Sequence, residues 1–254
     1  MIKIDLSNKI AVITGATGQL GRVMVRTLAR AGADVAVHYF QNKSKADELL
    51  SEIKAWDVRS MAIQADITDL ASVMSMRDRI FETLGQADII VNNAVIQYEW
   101  LNVLDQSLQD FESQFRSCVL HNVCMIKAFV PAMIDREWGR VIGINTECVM
   151  QCWETQSAYV SGKRGMDGVL RVLAKEIGGH GITVNQVAPG WAISEDRKDK
   201  GTDYEKWYLS NVPLQRWGEA QEIANVVAFL ASDLASYITG AYIPVCGGNV
   251  MPAI

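Results

Sequence analysis

Lys9-Ile10-Ala11-Val12-Ile13-Thr14-Gly15-Ala16-Thr17-Gly18-Gln19-Leu20-Gly21 is the stretch that decides the fold of this chain. Its first half, Lys9 to Thr14, is apolar and β-branched, the composition of a buried central strand. It runs without a spacer into glycines at 15, 18 and 21 and then into an apolar-periodic segment, Gly18 to Ala31, that reads as a helix. Glycines there let the backbone turn sharply and come close to a ligand, while the unpaired amides and positive end of the following helix attract negative charge. Placed after a first strand, this is the chemistry of a pyrophosphate cradle and favours a dinucleotide over an unliganded turn.

The rest of the chain repeats the alternation. Strands are expected at Lys9 to Thr14, Ala33 to His38, Ser60 to Ala65, Ala87 to Asn92, Gly139 to Asn145, Gly181 to Val187 and Ala241 to Val245. Helices are expected at Gly18 to Ala31, Lys43 to Ala55, Asp69 to Leu84, Ser107 to Arg136, Gln156 to Gly178 and Glu219 to Ala231. This order predicts an α/β fold, a doubly wound parallel sheet with helices on both faces. No linker or repeat interrupts it, so one domain is expected over residues 1–254.

Composition sets the outer limits. With 254 residues, 49% hydrophobic, 21% charged and a formal net charge of -5, the chain has ample core-forming material. No basic run tracks a nucleic acid, no stretch of roughly 18 uncharged apolar residues is evident, and the start at Met1 lacks a secretion signal, so a cytoplasmic protein is expected. The five cysteines form no Cys-x-x-Cys pair and the three histidines are scattered, which predicts reduced thiols and no metal site.

Tyr159 and Lys163, in Tyr159-Val160-Ser161-Gly162-Lys163, lie four apart in a helical pattern and so share a face. A fixed ammonium beside a phenol favours the phenolate and brings the tyrosine toward useful proton transfer. Tyr39 and Lys43 repeat the spacing, but where a strand gives way to a polar turn that would not hold the two in register.

Taken in order, the glycine loop, Ala65-Asp66-Ile67-Thr68, Asn92-Asn93-Ala94, Tyr159-x-x-x-Lys163, Asn185-Gln186-Val187-Ala188-Pro189-Gly190 and the closing Gly247-Gly248 resemble the short-chain dehydrogenase/reductase family over nearly the whole chain. The resemblance implies a Rossmann-type domain of about seven parallel strands and hydride transfer between a nicotinamide cofactor and an alcohol or carbonyl, on a pattern similar to 3-oxoacyl carrier protein reductases. It implies that Tyr159 exchanges a proton with the substrate oxygen, that Lys163 lowers the tyrosine pKa and binds the nicotinamide ribose, and that Thr146, thirteen residues before the tyrosine, orients the substrate where the family has serine. Gly15, Thr17, Gly18, Gln19, Leu20 and Gly21 would hold the pyrophosphate. Asp66, Ile67, Asn93 and Ala94 would line the adenosine side, and Pro189, Gly190, Ala192 and Ser194 the nicotinamide side.

Several positions depart from the family pattern. Cys118 stands where the family has an asparagine supporting a water relay toward the lysine, with Asn122 one turn further on as a conceivable substitute. Val95 replaces a glycine and Cys246 an aspartate. The loop after the second strand, with Tyr39, Asn42, Lys43 and Ser44, has no acidic residue to repel a 2'-phosphate, so NADP is favoured over NAD. The segment from Trp191 to about Val212 has the make-up of a lid, and Cys148, Trp153, Trp191 and Trp207 are candidates to border a small carbonyl or alcohol substrate. The Ser107 to Arg136 and Gln156 to Gly178 helices show surplus apolar residues, Phe115, Val119, Met166, Val169, Leu170 and Leu173, and related proteins pair these helices in homodimers or homotetramers. The competing reading is a dinucleotide-binding sensor that kept the fold and lost the chemistry.

Overall fold

The structure is a computed structural model that describes residues 3–193 and 201–252. In chain order the elements are β1 (Ile10–Ile13), α1 (Gln19–Arg30), β2 (Asp34–Tyr39), α2 (Lys43–Ile53), β3 (Ser60–Gln64), α3 (Leu70–Thr83), β4 (Ile89–Asn92), α4 (Leu108–Gln114), α5 (His121–Asp135), β5 (Gly139–Ile144), α6 (Cys148–Gln151), α7 (Ser157–Ile177), β6 (Ile182–Pro189), β7 (Ala192–Ile193), α8 (Asp203–Asn211), β8 (Gly218–Glu219), α9 (Ala220–Ala231) and β9 (Tyr242–Val245). Seven strands form one parallel sheet in the order β3-β2-β1-β4-β5-β6-β9. The chain reverses direction across the sheet between β1 and β4, and a crevice opens at the carboxyl ends of strands where such a reversal occurs.

Period-two alternation divides the core. Ala11 and Ile13 of β1 face an apolar layer with Met24, Val25 and Leu28 of α1 and Ile223 and Val227 of α9. Ile10 and Val12 face the other layer, with Met76 and Ile80 of α3, Phe129 of α5 and Leu170 of α7. Phe129 is fully buried, and a side chain of that size contributes about 1.5–3 kcal/mol on leaving water.

All seven expected strands are present, with small end shifts. β6 runs on to Pro189 because its last residues pair with Pro244 and Val245 of β9. The helix expected from Ser107 to Arg136 contains a π-helical turn at Phe115–Leu120, which joins α4 to α5. Two short strands, β7 and β8, pair in a separate parallel ribbon.

Leu108–Asp135 is long and apolar enough, by length and composition, to cross a membrane, although it is interrupted by charged residues such as Lys127. About two thirds of that window (67%) is buried inside the fold, against α3 and α7. The apolar surplus on α4, α5 and α7 is largely consumed by the chain's own core, since Val119, Met166, Leu170 and Leu173 are buried. Of those residues Phe115 is exposed, and Val172 joins it.

Gly21 shows how tightly the first turn is built: a Cβ added there would sit 2.2 Å from the Gly15 carbonyl oxygen. Gly21→Val is therefore expected to destabilise the fold by about 1–3 kcal/mol, read as a lowered Tm. An unchanged Tm would show that the turn and α1 can separate without loss.

Candidate active site

The glycine loop is held from three sides at the switch point. Gly15 donates its amide to His38 Nδ1 (3.0 Å), Asn93 Nδ2 donates to the Thr14 and Gly15 carbonyls (2.9 and 3.2 Å), and the Thr14 hydroxyl accepts the amides of Asn93 and Ala94. Gly15 takes φ +60°, the left-handed region that favours glycine, and a Cβ there would lie 2.9 Å from Ala94 Cα. Because His38 Nδ1 accepts, its proton is on Nε2, which donates to the Ala65 carbonyl at 3.0 Å; burial holds this imidazole below its usual range, and so neutral. The scattered histidines therefore include one that braces the loop. Its position at the end of β2 was the available signal.

Above the loop is a cavity of ≈ 770 Å³ lined by Gly15, Thr17, Gly18, Gln19, Leu20, Asn42, Asp66, Ile67, Asn93 and Ala94. α1 begins beside it with no side chain capping its first amides, leaving donors for an anionic group. Asp66 borders the cavity and also makes a local turn, accepting from the Thr68 amide and hydroxyl at 2.8 Å. Val95 lines the cavity as well.

Four residues expected at the cofactor border neither cavity: Lys163, which is buried on the Ile144 carbonyl, and Tyr39, Gly21 and Ala192. Tyr39 is buried in the core, since strand alternation turns it away from the face used by His38 and Phe40, and the latter two line the cavity. Gly21 packs against the turn and borders neither this cavity nor the next. Ala192 is held in the β7–β8 ribbon, paired with Gly218. Ser194 lies outside the described residues, as does the charged stretch to Lys200. Asn42 caps α2 by accepting from the Lys45 amide, while Lys43 and Ser44 are engaged by Asp47 and Glu48.

A second cavity of ≈ 520 Å³ adjoins the first, and Ile96 and Gln97 line both. Thr146, Tyr159, Pro189 and Gly190 border it, so the candidate proton donor faces a space next to the glycine cradle. Lys163 is buried one turn along from Tyr159; its Nζ is 5.8 Å from the Tyr159 ring centroid and donates to the Ile144 carbonyl at 2.6 Å. Tyr98 Oη accepts the Tyr159 amide (2.7 Å), and Thr146 is fixed through its amide to Asn145 Oδ1 (2.9 Å). The Tyr242 hydroxyl donates to the Thr146 carbonyl.

Burial dominates the electrostatics of the phenol and the ammonium. Burial pushes the Tyr159 phenol well above its ordinary value, and the Thr146 hydroxyl works against the rise. Burial also lowers the Lys163 pKa. Desolvation thus favours the neutral form of both side chains, and the Tyr159 phenol keeps its proton at neutral pH.

Cys118 lies in the π-helical turn, and Asn122 one turn on donates its amide to the Cys118 carbonyl (2.7 Å) while accepting from Asn92 Nδ2 (2.8 Å). The side chain thus satisfies a carbonyl within the distorted turn. His121 beside it is fully buried and its pKa is pulled down to about 3, chiefly by desolvation, so it stays neutral. Cys246 is buried and accepts weakly from the Val250 amide at 3.5 Å, anchoring the C-terminal loop.

On the substrate side Cys148, Trp153 and Trp191 line the cavity as expected. Trp207 does not; it packs behind Trp153 at 5.0 Å between ring centroids and stacks on Tyr204. Residues passed over in the sequence, Tyr98, Trp100, Glu147, Gln151 and Gln156, line it too. Aromatic residues at alternate positions just after Asn93-Ala94 were a legible signal for the first two. Burial raises the Cys148 thiol, which opposes any nucleophilic role. Among the described residues no cluster of side chains suits a metal ion.

Comparisons with known proteins agree with this geometry. Residues 15–249 match the family model described as enoyl-(acyl carrier protein) reductase. The chain is 36% identical over 254 residues to the 3-oxoacyl-[acyl-carrier-protein] reductase FabG of Staphylococcus epidermidis, covering 96% of this chain and 100% of that protein. It is 34% identical over 258 residues to the FabG of Escherichia coli K12, covering 98% and 100%. Among solved structures, a mutant short-chain dehydrogenase/reductase of Serratia marcescens superposes with TM-score 0.89 at 28% identity, covering 96% of this chain and 98% of that one. A blue fluorescent protein from a metagenomic library, in complex with NADPH, gives 0.90 at 32%, covering 97% and 100%. The chain belongs to the short-chain dehydrogenase/reductase family, and it is an NAD(P)-dependent oxidoreductase of carbonyl and hydroxyl groups.

Two outcomes follow. With a raised phenol pKa, the phenolate that alcohol oxidation needs gains about tenfold per pH unit through the neutral range, whereas the phenol that reduction needs is already present. Oxidative kcat/KM is therefore expected to climb with pH while reductive kcat/KM stays level; parallel profiles would remove Tyr159 as the titrating group. Asn122→Ala is expected to lower kcat about tenfold or more with cofactor Kd held, and Cys118→Asn to recover part of it. An Asn122→Ala enzyme with unchanged kcat would take Asn122 out of the site.

Proposed function

We propose that this chain is an NADP-preferring carbonyl reductase or alcohol dehydrogenase in which Thr146, Tyr159 and Lys163 carry the proton chemistry. The observation behind the reading is that Tyr159 and Thr146 border a cavity that adjoins the glycine cradle across Ile96 and Gln97. The cradle fits a dinucleotide: a Cβ would fill the space at Gly15, and the uncapped start of α1 offers amides to phosphate. A bound nicotinamide supplies or accepts the hydride. Thr146 donates a hydrogen bond to the substrate oxygen, Tyr159 gives that oxygen a proton on reduction or takes one on oxidation, and Lys163 holds the strand exit through the Ile144 carbonyl. Asp66, Asn93 and Ala94 would hold the adenosine half.

Support for NADP is the loop Phe40-Gln41-Asn42, which brings no carboxylate to the cavity, and a solved relative that carries NADPH. With Lys43 engaged by Asp47, the preference rests on Gln41 and Asn42 rather than on the lysine. We take residues 1–254 to be one catalytic domain, residues 191–212 to be its substrate lid, the exposed Phe115 and Val172 to belong to a homodimer or homotetramer contact, and the enzyme to be cytoplasmic.

A screen of carbonyls and alcohols against both reduced and both oxidised cofactors is expected to find turnover with NADPH favoured. Tyr159→Phe should lower kcat about 10²–10⁴-fold and leave cofactor affinity unchanged. Clear preference for NADH would overturn the cofactor assignment, and turnover that survives loss of the hydroxyl would overturn the mechanism.

A further inference from the structure

The walls of the second cavity point to a substrate class. Trp100 stacks on Tyr159 itself, 5.7 Å between centroids at 28°. Opposite, Trp191 packs on Tyr204 and Tyr208 at 5.6 and 5.2 Å, and Trp153 is backed by Trp207 and Tyr208. Rings that hold one another in place lose little freedom on binding, and they present flat faces that suit a flat ligand ring. A flexible chain would have to be ordered bond by bond against the same walls.

Polar groups add a second requirement. Gln156 is 4% exposed and its Oε1 has no hydrogen-bond partner, and both amide atoms of Gln151 are likewise buried and unpaired. Gln151 lies beside the Glu147 carboxyl and Gln156 beside the Cys148 thiol, close enough to offset part of the burial-driven rise in both pKa values but outside hydrogen-bond geometry, so Gln156 Oε1 is left for a ligand. Both glutamines line the cavity, and buried unpaired amides gain most from a ligand that supplies a hydroxyl, which donates to one and accepts from the other.

Charge adds a third. Glu147 is 3% exposed, and its two oxygens already accept from the Tyr208 hydroxyl (2.8 Å) and Asn249 Nδ2 (3.1 Å). Its carboxyl is thus committed to joining the lid helix to the C-terminal loop, and a second anion beside it would be repelled.

Resting on the oxidoreductase reading above, we propose that the substrate is a neutral ring ketone, or its secondary alcohol, carrying a further hydroxyl that Gln151 and Gln156 bind, and not a straight-chain acyl thioester. In the reductive direction the ring carbonyl carbon gains a hydride from the reduced nicotinamide and its oxygen gains the Tyr159 proton. The products are the secondary alcohol and oxidised cofactor, and the tyrosine is reprotonated from solvent.

The test compares kcat/KM of the full chain for a hydroxytetralone, a cyclohexanone polyol and a straight-chain 3-oxoacyl thioester of N-acetylcysteamine with a similar number of heavy atoms. At least one hydroxylated ring is expected to exceed the thioester by about tenfold or more, and the two ring arms separate an aryl from a polyol source. In Gln156→Leu the ratio of kcat/KM between the hydroxylated ring and its deoxy analogue is expected to fall about tenfold. A parallel measurement titrates each ring alcohol, and the alcohol of the thioester, into Tyr159→Phe protein saturated with oxidised cofactor and follows tryptophan fluorescence, so ring preference is read without turnover. A thioester that outruns or outbinds every ring, or a ratio unmoved in a folded Gln156→Leu protein, overturns the assignment. Ring binding with no turnover of any compound by the wild-type chain upholds the substrate class and overturns the oxidoreductase reading instead.

Discussion

The hydrogen bonds that join the end of β1 to the end of β4 are the constraint from which the site follows. Thr14 accepts the Asn93 and Ala94 amides while Asn93 returns its side-chain amide to Thr14 and Gly15, so the glycine turn is closed against the neighbouring strand. This can happen only where β1 and β4 are adjacent, which is where the sheet order reverses. His38, from β2 on the other side, completes the support with its Nδ1 on the Gly15 amide. Three strands thereby fix one loop.

The catalytic half is built on different physics. Lys163 is buried against the end of β5 and Tyr159 is half-buried at the cavity wall, and desolvation moves both pKa values toward the neutral forms. The lysine spends its ammonium on the Ile144 carbonyl. The tyrosine is oriented from outside by Tyr98 and Trp100, residues of the loop that also walls the cofactor cavity. The two cavities thus share a wall, and Cys118 sits in a local π-helical turn that Asn122 braces.

Much of this was legible from residue order. The seven strands and the main helices follow from apolar periodicity, because each must bury a face or a stripe. The glycine loop, Asp66, Asn93, Thr146 and Tyr159 stand where motif spacing puts them. Tyr39 was misplaced because a one-residue shift along a strand moves a side chain to the opposite face of the sheet. Ala192 was misplaced because a two-residue ribbon carries no periodic signal. The aromatic lining was only half legible: Trp153 and Trp191 were named, whereas Trp207 proved to back Trp153 and Tyr98, Trp100, Gln151 and Gln156 were missed. Which rings face a cavity depends on loops whose paths no local pattern encodes.

The sequence by itself determined the alternating α/β order, the glycine turn, the tyrosine-lysine pair and the membership of the family that these imply, since each is a local or ordered pattern along the chain. Only the tertiary structure decided that Tyr159 and Lys163 are both desolvated, that a histidine braces the glycine loop, and that aromatic rings from four segments line one cavity. Those outcomes depend on distances across the sheet and on exclusion of water, and neither quantity exists until the chain has folded.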